Sequence, residues 1–180
     1  MSSNKHARSA DKTAVDDEHR TGSGPGALSI ASRAALIGTV ASVGLAATLG
    51  ALARREGRSA VSPINASSHV LHGDKAGGVD HMDTAHTVPG IVINHAAAIF
   101  WAIPFTWWLS RKRDRTAGQI ALGAVATSSV AGIVDYGLMP RRLTPGWEHA
   151  VSPRAVATGF GALALGLAVG GIVTRSRDGR

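Results

Sequence analysis

The chain has no cysteine in its 180 residues. Disulfides, thiolate metal sites and a cysteine nucleophile are therefore excluded. Aromatic residues make up only 4% of the sequence, and none lies inside its most basic stretch, 111–115. Acidic residues are the scarcer charge, 12 against 19 Lys and Arg, which leaves a net charge of +7. Such a balance raises nucleic acid as a partner. The cations, however, stand at the ends of apolar runs and not along one amphipathic face, which argues against it. Neither G-x-S-x-G nor H-E-x-x-H occurs, so hydrolytic chemistry of those kinds has no motif here and the reading leans away from an enzyme.

Charge is also nearly missing from four long stretches, 34–53, 88–109, 117–139 and 155–174. A hydrocarbon core of about 30 Å needs roughly 20 apolar residues in helical form. The mean hydropathy of +0.09 hides this division, because the connections hold nearly all the charge. The expected fold is all-α: an integral membrane four-helix bundle over 27–180, with the lipid bilayer as its first partner. Residues 1–26 are polar and mixed in charge, end in Gly22-Ser23-Gly24-Pro25-Gly26, and predict a disordered tail. Ala51-Leu52-Ala53 looks like a signal-peptidase site, but the Arg54-Arg55 that follows fits poorly with cleavage, and an uncleaved first helix is expected.

Small residues recur in the first span (Gly38, Gly44, Gly50) and in the fourth (Gly159, Gly161, Gly166, Gly170), as they do where membrane helices pack closely. This pattern supports a tight bundle and leaves a homo-oligomer or another membrane protein open as partner. In the second span Pro104 predicts a kink, and Trp107 and Trp108 sit where indoles reach headgroup level. Ser152 reads as the N-cap of the fourth helix, with Pro153 at its first position. The short loop with Arg111, Lys112, Arg113 and Arg115 is the densest basic cluster, which puts it and both termini in the cytoplasm. Arg54, Arg55, Arg58, Arg141 and Arg142 count against that orientation.

Polar residues converge on the other face. His95 lies about 9 Å and Asp135 about 7 Å below it, at 1.5 Å per residue. Asp135 needs a partner in lipid, and Asn94, His95, Arg141 and Arg142 are the candidates. Asn94, His95, Asp135, Arg142 and Glu148 thus form an expected polar intramembrane cluster, with Glu148 pairing to Arg141 or Arg142. Its role is structural in the first reading, and a proton or ion path through His95 and Asp135 in the second. A third reading takes the His-rich connection between the first two spans as a metal-binding or catalytic element. His69 and His72 are three apart and share a helical face; with His86, and with His95, Asp74 and Asp83 as further ligands, they offer nitrogen and carboxylate donors to a divalent ion such as zinc. No other cofactor is expected. The stretch 62–73 predicts a short interfacial helix, Thr144-Pro145-Gly146 a turn, and Trp147 an interfacial anchor.

Several segments also resemble a family of small, uncharacterised bacterial inner-membrane proteins. They are Ser62-Pro63-Ile64-Asn65-Ala66-Ser67-Ser68-His69, His86-Thr87 with Gly90, Ile93-Asn94-His95, Phe100-Trp101-Ala102, Asp135-Tyr136, Pro140, and Arg142-Leu143-Thr144-Pro145-Gly146 with Glu148. The resemblance runs from about Pro63 to the end of the fourth span and is most specific over 142–148. It departs at Asn94, where that family's pattern has a second histidine. It implies a four-helix membrane protein of the inner membrane and supplies no activity.

Overall fold

The structure is a computed structural model that describes residues 25–112 and 114–178, with side chains from 30 to 175. The expected tail lies outside the described residues, except that Pro25 and Gly26 already open the first helix. The long helices are α1 (Pro25–Arg55), α4 (Thr84–Ser110), α5 (Ala117–Ile133) and α6 (Pro153–Asp178), and two short ones, α2 (Ser62–Ser67) and α3 (His69–His72), lie between α1 and α4. Four helical segments, Ile30–Arg55, Thr84–Ser110, Ala117–Leu138 and Pro153–Arg175, are long and apolar enough to cross a bilayer. Their outward faces carry Val43, Val92, Phe100, Ile103, Leu122, Val125, Ile133, Leu165 and Val173, all exposed.

The first and last helices form the spine of the bundle. α1 packs most extensively on α6, then on α4, while α5 leans on α6. The glycines explain the first contact. A Cβ on Gly166 would strike the Cα of Ala41, and one on Gly170 would come 3.0 Å from the Cα of Ile37, so this small-xxx-small pair joins two helices of one chain. Gly38 gives α4 the same access, with a Cβ there 2.6 Å from the Cα of Ile99. Gly44 and Gly161 face open space. Around these contacts Ile37, Ala41, Ala102, Phe105, Ile120 and Leu167 close the half of the bundle nearer the α4–α5 loop.

The α4–α5 loop is tight, yet α4 and α5 touch far less than the other neighbouring helices. They meet near that loop, where Trp108 covers Gly123. Arg111 lies 4.2 Å over the Trp107 ring and Arg115 3.7 Å over Trp108, so this basic stretch does have aromatic partners, each one turn or two away in sequence. Toward the opposite face the two helices part. There α5 ends in a wide turn over Val134–Leu138, closed by the Met139 N–H donating to the Val134 carbonyl.

Both long connections fold together over that face into a cap. The stretch expected as a short interfacial helix does hold α2 and α3, but Ser62 to His69 are all buried, and they form the core of this cap. Asn65 is its hub: its amide donates to the carbonyls of Val79 (2.9 Å) and His81 (2.8 Å) and accepts from the Thr87 hydroxyl (2.8 Å). Arg58 braces the outside, pairing with Asp80 at 2.8 Å and donating to the carbonyls of Gly77 and Ala150. Ser152 caps α6 as expected, accepting from Ala155 N–H at 3.3 Å while Glu56 accepts from Ser152. Ala53 is fully buried in the cap-side core with Leu45, Leu49, Trp147 and Val151.

Candidate functional site

The helix starts that face the cap are held by matched side chains. Asp83 caps α4, accepting from the His86 N–H at 2.6 Å. That bond, with the His86 ring beside it, holds the Asp83 carboxyl below the usual carboxylate value. The Asp80 carboxyl is lowered as well, first by the Ser62 hydroxyl and then by Arg58. Pro89 lies in the second turn of α4 and has no N–H for the carbonyl of Ala85. His72 supplies the missing donor, Nε2 lying 2.9 Å from that oxygen. His86 stacks on His72 at 4.6 Å.

Beneath the cap, where α4 and α5 part, lies a cavity of about 90 Å³. That is space for several waters or a small group. Its wall is largely apolar: Leu45, Val70, Ile93, Ala98, Trp101, Trp147, Phe160 and Leu163. Asn94, Asp135, Ser67 and Thr144 are its polar members. Ala97 and Leu143 also line it and are exposed, which puts its mouth on the outer side of the bundle.

The expected cluster is therefore divided. Asn94 and Asp135 do share this chamber, with Trp101 beside them in its wall, and among the described residues Asp135 forms no ion pair with His95, Arg141 or Arg142. His95 is the next residue after Asn94, hence about 100° further round the helix. It points at α1, its Nε2 3.5 Å from the Thr39 hydroxyl. Thr39 donates its own proton to the Ala35 carbonyl, so at His95 it can only accept. The Asn94 amide approaches Ser42 at 3.4 Å.

The strap 140–152 closes the chamber. Gly146 turns it at φ +82°, as the Thr-Pro-Gly sequence predicts, and lies so close to the Ala66 carbonyl that a Cβ would not fit. Glu148 accepts from Thr144 at 2.6 Å and from Tyr136 at 2.8 Å, and not from either arginine. Arg142 instead donates to the Val70 carbonyl at 3.2 Å. Trp147 is no interfacial anchor. It is buried against Phe160, at 5.5 Å between rings, and its indole N–H has no partner.

The histidines expected as one ligand set fall into two groups. His72 and His86 stack on each other at the start of α4, while His69 turns inward beside Asp74 and His149. Sequence reasoning offered Asp74 as a further ligand with His69, but missed His149 beside them, Trp101 in the wall of the Asp135 chamber, and Asn65 as the hub. The one signal for the last was an asparagine in an otherwise small and apolar run. No family model matches the chain, and comparison with curated proteins and with solved structures gave no match either.

Proposed function

We propose that the chain is a small multi-pass protein of the bacterial inner membrane that acts by binding, as an accessory component, and neither conducts nor catalyses. Its cap-side chamber holds the head of a membrane amphiphile that carries an N–H or O–H donor. The observation that carries this reading is a blind chamber: Asn94 and Asp135 line one end, and the buried Ile37, Phe105, Ile120 and Leu167 fill the bundle at the other. A proton or ion path would have to cross that dry half, where unpaired charge is expensive. The mouth beside Ala97 lies on the face that lipid would cover, so a ligand enters from the bilayer. The inner-membrane location is supported by the resemblance given above, and the basic α4–α5 loop favours the cap on the non-cytoplasmic side.

The test is native mass spectrometry of the protein extracted in mild detergent. Wild type should retain one amphiphile, and Ala97→Trp, which fills the mouth, should lose it, while the delipidated forms of the two proteins share one Tm. Equal retention by both proteins, or none by wild type, would refute the binding role. Proton flux into proteoliposomes that Asp135→Asn abolishes would favour conduction instead.

A further inference from the structure

His69 is 1% exposed, and its Nε2 lies 2.9 Å from the carbonyl of Thr144. A carbonyl only accepts, so Nε2 carries the proton and, in the neutral ring, Nδ1 is left with a free lone pair. That nitrogen faces Asp74, 3.9 Å from Oδ1. The same oxygen lies 3.7 Å from Nε2 of His149. One ligand atom from each of the three residues lies within 4.8 Å of the other two. We propose that His69 Nδ1, the Asp74 carboxylate and His149 Nε2 form a binding site for a divalent transition metal, zinc by preference, that clamps the two connections of the cap together.

Four features favour this over a chance meeting of polar groups. First, the donor chemistry fits: two imidazoles and one carboxylate suit zinc, and bonds of about 2.0–2.1 Å put tetrahedral ligands about 3.4 Å apart. The two imidazole–carboxylate distances, 3.7 and 3.9 Å, are close to this, and the two imidazoles, within 4.8 Å of each other, close on the metal by a side-chain rotation of the partly exposed His149. Second, His69 is oriented by a backbone carbonyl through its far nitrogen, the arrangement that fixes metal-binding imidazoles. Third, the backbone is shaped to bring the residues together. Gly73, at φ +73° and ψ −179°, turns the chain so that Asp74 comes back over His69. Gly77 packs so tightly on His149 that it has no room for a side chain. Fourth, no Lys or Arg among the described residues forms an ion pair with Asp74, which meets only the two imidazoles.

Asp74 is 82% exposed, so the site opens to solvent and leaves a fourth position for water. Glu148, its Oε1 3.8 Å from His149 Nε2, is already bonded to Thr144 and Tyr136 and serves to position the strap. A metal here would join the segment after α3 to the strap after α5.

The experiment uses the full chain in detergent, stripped with EDTA and titrated with Zn²⁺ against a chromophoric competitor. His69 is buried and is left alone; the variant is Asp74→Asn with His149→Gln, both at the edge of the site. Wild type should bind one equivalent, and zinc should slow proteolysis within 73–83. The double variant should bind at least tenfold more weakly while keeping its metal-free Tm. His72→Gln with His86→Gln should bind as wild type does. No retained zinc in wild type, undiminished binding in the first variant, or loss in the second would each overturn the proposal.

Discussion

Replacing Asn65 by Ala should release the cap while leaving the four long helices in place. The side chain is fully buried and makes three hydrogen bonds, two to the carbonyls of Val79 and His81 and one from Thr87. Each is worth about 1 kcal/mol net, and a buried partner left alone costs more, about 1–3 kcal/mol. His81 is exposed and Val79 half-buried, so water can take over at those carbonyls. Thr87 is buried, but it keeps the Asp83 N–H at 3.1 Å. A sum of about 2–3 kcal/mol follows, and hence a rise in the open population of roughly 30- to 160-fold. Hydrogen exchange of the amides in 73–83, followed by mass spectrometry on the detergent-solubilised protein, reads that population directly. Amides of α6 should keep their protection. Unchanged exchange in 73–83, or an equal rise along α6, would refute the assignment of Asn65 as a local hub.

Acid should open the same segment. The carboxyls of Asp80 and Asp83 sit below their ordinary value of 3.8 in the folded chain, so the stability they supply is complete above the unfolded value and is lost as pH falls through the lower, folded one. Exchange in 73–83, corrected for its intrinsic pH dependence, should be flat from pH 7 to about 5 and rise below about 4. Gly166→Leu should lower the Tm by the equivalent of about 1–3 kcal/mol or more through overpacking against Ala41, whereas Gly161→Leu, which faces open space, should not. Equal effects at the two positions would contradict the α1–α6 interface. His72→Ala removes the donor to the Ala85 carbonyl and should cost about 1 kcal/mol, read as faster exchange in the first turn of α4.

The four spans were legible because nothing competes with a charge-free run of that length; each expected span falls within or close to an observed one. The Ser152 cap and the Gly146 turn were legible for the same kind of reason, since both depend on residues adjacent in sequence. What sequence could not supply was azimuth. Depth alone brings His95 and Asp135 together, but one position along a helix is a turn of about 100°, and that difference gives the chamber to Asn94 and sends His95 to Thr39. The arginines were misjudged because a charged partner seemed the natural answer for Glu148, whereas two neutral hydroxyls satisfy it. The cap was illegible because His69 meets Thr144 only after two distant connections have folded against each other, and Asn65 finds Val79, His81 and Thr87 only once the first has closed on itself.

That last feature bears on biogenesis. Segments 62–83 and 141–152 are separated by two of the apolar helices, and Arg58 reaches Ala150 only when both are present. Until the ribosome has delivered the strap after α5, the polar interior of the first connection has no lid. Closure of the cap therefore waits on residues that lie two long helices further along the chain.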